Sequence, residues 1–209
     1  MNFSPDLTLV NLLACLVGGY LLGSISFGLI ATKLGGAGDP RLIGSGSIGA
    51  TNVLRTGRRD RAAITLVGDA GKGAVAVLLA TGLVSPLGGV VAGGGAFLGH
   101  LFSVWLRFRG GKGVATFYGI LFAVFWPVGI VAGAVWLAVA AIFRFSSLAG
   151  LSAAISAPVA MYLLRADRMD AVGLTIFMAV LIFIRHRANI ARLLKGDEPR
   201  IGAGKAAAA

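Results

Sequence analysis

The chain has 209 residues, 57% of them apolar and 13% charged, and carries a formal net charge of +11. A water-soluble domain of this length needs far more polar surface, so the composition excludes a soluble enzyme and calls for an integral membrane protein. The positive charge does not point to nucleic acid, because the cations sit in loops between apolar blocks, the bias that keeps basic loops in the cytoplasm.

The first six residues lack Lys and Arg, so the first apolar block, about residues 7–31, reads as a retained span and not a cleaved leader. It contains Gly19-x-x-x-Gly23 and Ser24-x-x-x-Gly28, small residues one turn apart that allow close helix contact, and the single cysteine, Cys15, a packing residue. A polar stretch at 33–61 leads to a second block at 62–84, which carries Asp69 and Lys72. Pro86 opens a third at 87–106, with Gly89-x-x-x-Gly93 and Gly95-x-x-x-Gly99 in it, and a short basic loop follows at 107–113. Residues 114–143 are long for one span and short for two, since a span takes about 20 residues. Trp126-Pro127 in its middle favours a break. Two more blocks, 148–164 and 171–184, flank a hydrophilic patch at 165–170, and a basic tail starts at Arg185.

Charge decides the span count. If 114–143 crosses twice there are seven spans, and one face holds Lys33, Arg41, Arg55, Arg58, Arg59, Arg61, Arg107, Arg109, Lys112, Arg144 and the cations of the tail. The other face holds only Arg165 and Arg168, offset by Asp167 and Asp170. With one crossing there, the cations divide almost evenly. The expected fold is therefore all-α with seven transmembrane helices, some of them short, the N-terminus outside and the C-terminus cytoplasmic. Residues 1–198 form one polytopic domain in this reading, followed by a flexible tail at 199–209.

Residues 44–55 read Gly-Ser-Gly-Ser-Ile-Gly-Ala-Thr-Asn-Val-Leu-Arg. Three glycines (Gly44, Gly46 and Gly49), hydroxyls at Ser45 and Thr51, the Asn52 amide and the Arg55 guanidinium are groups that a phosphate requires. The embedded G-x-G-x-x-G does not indicate a dinucleotide, because no strand and crossover helix surround it; a plain flexible loop is the bland alternative. In the loop before 114, Gly110, Gly111 and Gly113 flank Lys112 and would let backbone approach a ligand, where simple lipid anchoring explains only the cations. Asp69 and Lys72 share a helix face and fit either a functional intramembrane pair or a structural one. His100 reads as a structural hydrogen-bonder. His186 and Asn189, one turn apart, fit a shared ligand or a tie between tail and core. Ser146 and Ser147 stand where helix capping is the ordinary explanation. No Ser–His–Asp set and no metal cluster is legible.

The motif at 44–55, Asp69-Ala-Gly-Lys72-Gly, Gly99-His-Leu-Phe102, Phe108-Arg-Gly-Gly-Lys-Gly-Val-Ala-Thr116 and His186-Arg-Ala-Asn-Ile-Ala-Arg-Leu193 together resemble the bacterial acyl-phosphate-dependent glycerol-3-phosphate acyltransferases, the PlsY family. Ser47, Ser103, Arg109 and Asp197 depart from the residues common in that family at their positions. The resemblance implies seven spans in the bacterial inner membrane, a site facing the cytoplasm, and transfer of an acyl group from acyl phosphate to the 1-hydroxyl of glycerol 3-phosphate. It implies no cofactor, no metal and no partner beyond the bilayer and the substrates, with a monomer sufficient. On this footing Arg55, Lys112, Ser45, Thr51, Asn52 and the N–H groups of the loop glycines hold the two substrate phosphates. Lys72 and Asp69 are further binding candidates, and Ser147 or its neighbour Ser146, with His186 and Asn189, orients glycerol 3-phosphate. A transporter for a phosphorylated metabolite is the rival from another class, but the chain has no internal repeat to support it.

Overall fold

The computed structural model describes residues 8–36, 38–44 and 46–202. Every regular element among them is helical, and the chain divides into two compact units, up to Trp126 and from Pro127 onward.

In the first unit, α1 (Leu9–Gly23) starts at Thr8, whose hydroxyl accepts the Asn11 N–H at 3.3 Å. The apolar block expected to be continuous then breaks. Ser24 turns its N–H and its hydroxyl back onto the Tyr20 carbonyl, at 2.9 and 2.8 Å, and Ser26 caps a second helix, α2 (Phe27–Leu34). Serine hydroxyls compete with the helical ladder in this way, and hydropathy alone does not register it.

After a 3₁₀ turn (Pro40–Leu42) and the short α3 (Ala50–Leu54), α4 (Arg59–Leu83) and α5 (Pro86–Leu101) form an antiparallel pair. Ser85 caps α5 on the Gly88 N–H at 3.0 Å, and Pro86 takes the first helical position, where its missing N–H costs nothing. α1 lies against α5 through the expected glycines. A Cβ on Gly19 or Gly23 would overlap the Ala92 or Ala96 carbonyl, and one on Gly95 or Gly99 would overlap those of Leu16 or Tyr20. Small residues on both partners thus bring the two backbones into contact. Cys15 is buried beside Ala76, Ala80, Ala92 and Ala96, the packing role expected of it.

α6 (Val114–Phe143) is two helices joined at a non-helical Phe125, with φ −160° and ψ 96°. The interruption falls two residues before Pro127, because a proline removes a helical N–H and crowds the preceding turn. In the second unit, the later part of α6 is followed by α7 (Ser146–Leu164), α8 (Met169–Arg185) and α9 (Arg187–Lys195). The hydrophilic patch before α8 is knit by two local ion pairs, Arg165–Asp167 and Arg168–Asp170, each at 2.8 Å. α8 and α9 meet at 59°. Among the described residues, five helical stretches are long and apolar enough to cross a bilayer, or up to six when the bent α8–α9 pair is taken as one; α6 enters that number once.

Candidate functional site

The loop leading into α3 is organised by one amide. Asn52 is buried, and its Nδ2 donates to the carbonyls of Pro40 at 2.6 Å, Ser47 at 2.7 Å and Ile43 at 3.2 Å. Gly44 and Gly46 adopt positive φ, 55° and 66°, which only glycine does cheaply. A side chain on Gly44 would press on Asn52 Oδ1 and on Arg55 Nη1, so its absence lets the Arg55 guanidinium lie over the loop, 3.5 Å from Asn52 Oδ1. Gly49 precedes α3, Thr51 is exposed in its first turn, and Arg55 follows its last residue. Arg55 thus reaches back along the helix toward Asn52 and Gly44. Ser45 lies outside the described residues.

Asn52 is the clasp of the loop, its amide protons given to carbonyls. The glycine N–H groups expected to bind phosphate are also engaged, Gly46 with the Ile43 carbonyl at 3.0 Å and Gly49 with Ser47 Oγ at 3.3 Å.

The same holds for the loop before α6. Gly110 and Gly111 donate to the carbonyls of Leu101 and His100, both at 3.1 Å. A Cβ on Gly110 would overlap the His100 carbonyl, one on Gly111 the His100 ring, and one on Gly113 the Phe97 ring. These glycines therefore lay the loop flat on the end of α5, and Lys112 is carried on that flattened loop. The loop begins at buried Ser103, whose hydroxyl donates to the Ser24 carbonyl at 2.6 Å. Ser103 O in turn accepts the N–H groups of Leu106 at 3.1 Å and Phe108 at 2.8 Å. This tight turn holds two side-chain-bearing residues in the left-handed region, Arg107 at φ 51° and Phe108 at φ 62°. That costs roughly 1–2 kcal/mol per residue.

Beneath the loop lies a buried polar cluster. Lys72 Nζ is 2.8 Å from Asp69 Oδ1 and donates to the Ile25 carbonyl at 2.5 Å, the carbonyl freed by the break between α1 and α2. His100 Nδ1 lies 3.7 Å from the same carboxylate oxygen, and Thr116 Oγ1 donates to the Asp69 carbonyl at 2.8 Å. These contacts join α4 to the α1–α2 break and to the start of α6.

In the second unit two of the expected residues, Asn189 and Ser147, stand at a carboxylate that the motifs did not single out. Glu198 Oε1 accepts from Asn189 Nδ2 at 2.6 Å and Oε2 from Arg192 Nε at 2.7 Å. Burial pushes the Glu198 carboxyl up, but Ser147, Asn189 and Arg192 outweigh it and hold the group below the ordinary carboxylate range. Ser147 Oγ contributes from outside hydrogen-bonding geometry. Ser147 is the second residue of α7, which Phe145 precedes without a side-chain cap. His186 stands at the α8–α9 bend, with Nδ1 2.8 Å from the Ile182 carbonyl. The tie between tail and core continues past Glu198, since Ile201 N–H donates to the Arg144 carbonyl at 2.6 Å. The described part of 199–209 is thus anchored, and 203–209 lies outside the described residues. A lone glutamate inside a basic tail was the available signal for Glu198.

The family model for glycerol-3-phosphate acyltransferase matches residues 13–196. This chain belongs to that family. Glycerol-3-phosphate acyltransferases similar to it include that of Caulobacter vibrioides, 67% identical over 195 residues, covering 92% of this chain and 88% of the relative. Another, from Maricaulis maris, is 57% identical over 198 residues, covering 95% and 91%. Among solved structures, PlsY, an integral membrane glycerol 3-phosphate acyltransferase, matches in its glycerol 3-phosphate form with a TM-score of 0.86 at 37% identity, covering 91% of this chain and 96% of that one. Its lysophosphatidic acid form matches with a TM-score of 0.85 at 36% identity, covering 92% and 96%. The matched residues span every motif from 44 to 193.

Proposed function

We propose that this membrane protein transfers the acyl group of an acyl phosphate to the 1-hydroxyl of glycerol 3-phosphate, giving 1-acylglycerol 3-phosphate and inorganic phosphate, the first acylation of phospholipid synthesis. The observation that carries this reading is the match over nine-tenths of the chain to a relative solved in glycerol 3-phosphate and lysophosphatidic acid forms. Arg55, over the Asn52 loop, and Lys112, on the loop laid on α5, supply cations for the phosphates, with Ser45 and Thr51 as hydroxyl donors. Ser147, His186 and Asn189 orient glycerol 3-phosphate, Asn189 being itself fixed by Glu198.

In the reaction the 1-hydroxyl oxygen attacks the acyl carbon, the bond from that carbon to the phosphate oxygen breaks, and the hydroxyl proton passes to a substrate phosphate oxygen. An acyl phosphate is already activated, so no acyl-enzyme is needed. Orientation of two held substrates is worth about 7–11 kcal/mol of barrier, and fixed cations stabilise the charge that develops. The acyl chain lies among the helices, where each buried CH₂ contributes roughly 0.8 kcal/mol.

The deciding experiment mixes purified protein with acyl phosphate, with and without glycerol 3-phosphate, and follows phosphate release. Release that ignores glycerol 3-phosphate overturns the transfer reaction, and turnover with an acyl thioester but not acyl phosphate overturns the donor. The reading further includes residues 1–198 as one domain in the bacterial inner membrane, a monomer, seven spans, the N-terminus outside, and a site and C-terminus in the cytoplasm. Reporter fusions at the two ends test this topology: opposite faces are expected, and both ends on one face exclude an odd number of spans.

A further inference from the structure

A half-open cavity of about 500 Å³ in the first unit is lined by Arg41, Trp105, Leu106, Arg107 and Arg109. Neither Arg55 nor Lys112 lines it, and the reaction above assigns it nothing. Three guanidiniums meet there against one carboxylate, Asp39, which pairs with Arg41 at 2.6 Å. Among the described residues no carboxylate pairs with Arg107 or Arg109.

The backbone is arranged to present these side chains. Ser103, buried and bonded to the Ser24 carbonyl, anchors the turn, and Arg107 and Phe108 are held left-handed by it. Backbone outliers of this kind persist where the surroundings enforce them, and they concentrate at ligand sites. The turn sends Trp105 and Phe108 outward, 67% and 61% exposed, beside the arginines. Exposed aromatic rings next to guanidiniums, at the end of a membrane-crossing helix, match the depth of lipid headgroups. Arginine's planar fork pairs with phosphate oxygens in a bidentate manner, and the indole packs against the first methylenes below a headgroup.

We infer that this cavity is a binding site for the phosphate head of an anionic, acyl-bearing amphiphile held in the bilayer, separate from the residues proposed for acyl transfer. Arg107 and Arg109 grip the phosphate, Arg41 completes the cationic wall, and Trp105 with Leu106 receives the start of the chain. That chemistry is shared by bilayer phospholipids such as phosphatidylglycerol and by lysophosphatidic acid. The inference goes beyond the acyl-transfer reading and does not depend on it.

The test is native mass spectrometry of the full-length, detergent-solubilised protein titrated with phosphatidylglycerol, lysophosphatidic acid or phosphatidylcholine. The wild-type protein is expected to hold the anionic lipids at least about tenfold more tightly than phosphatidylcholine. The R107Q/R109Q variant is expected to lose that preference, and R107K/R109K to retain part of it. Phosphatidylglycerol bound as tightly as lysophosphatidic acid assigns the site to the bilayer; selectivity for lysophosphatidic acid assigns it to the reaction's own amphiphile. Equal binding of anionic and zwitterionic lipid by the wild-type protein, or an unchanged preference in R107Q/R109Q, overturns the inference. Glycerol 3-phosphate-dependent phosphate release from the same samples separates the two claims. Its absence in the wild-type protein defeats the acyl-transfer reading alone. Its retention in R107Q/R109Q, as expected, shows that variant to be folded.

Discussion

Lys72 and Asp69 illustrate how a single residue can be read two ways until its contacts are known. The ammonium is shared between a carboxylate and the Ile25 carbonyl, and both side chains are buried. Lys72→Ala removes the ion-pair partner of Asp69, a loss of about 3–5 kcal/mol for a buried pair broken on one side. A fall in the thermal midpoint of the detergent-solubilised protein should report it, with Asp69→Asn/Lys72→Met recovering much of the loss; a double variant as unstable as the single would reject the pairing argument. Arg55 and Lys112 have instead the proposed role of holding phosphate. Arg55→Ala and Lys112→Ala are expected to abolish turnover while leaving a monodisperse protein, and near-wild-type rates in either would remove that residue from the site. The motif residues themselves were legible in the sequence, but their division of labour was not. Asn52 and the loop glycines belong to a phosphate loop by composition, whereas an amide bonded to three carbonyls and glycines laid against His100 and Phe97 are facts of packing.

At the scale of elements, hydropathy located every long helix, and small-residue spacing identified the α1–α5 contact. Gly23→Val tests that contact directly, because its side chain must displace the Ala96 backbone. A loss of several kcal/mol is expected, of the order seen for overpacking and more, read as aggregation or a lowered midpoint. Gly18→Val, on the open side of the same helix, should be tolerated, because a Cβ there meets nothing within 4 Å. What hydropathy passed over was the interruption at Ser24–Ser26. Two serines divert hydrogen bonds locally, and the decisive partner of the freed carbonyl, Lys72, is 47 residues away. No local window contains both.

Across the molecule, the candidate residues of each unit are set by different means. The first unit supplies cations on loops held by backbone bonds; the second supplies Asn189 and Ser147 around a carboxylate. Glu198 has its folded-state affinity for protons lowered from an ordinary 4.5, so its contribution to stability is complete above that value and is lost as pH falls through the lower folded value. Glu198→Gln should therefore cost about 1–3 kcal/mol at neutral pH, and the gap between variant and wild-type midpoints should close on acidification below about pH 4. A gap that persists unchanged at pH 3 would show that the carboxylate's charge is not what anchors the tail. This clasp was invisible to motif reading because Asn189, Arg192 and Glu198 meet only through the turn after α9.

The single thiol of the chain sits in the seam where α1, α4 and α5 meet, 7% exposed and surrounded by alanines. A maleimide reagent can reach it only when that seam opens, so its labelling rate is a clock for local unfolding in the bilayer. Because the sequence holds one cysteine, the clock has one hand. Substrate-dependent slowing of the reaction would time how ligand occupancy is felt between helices, with no mutation introduced.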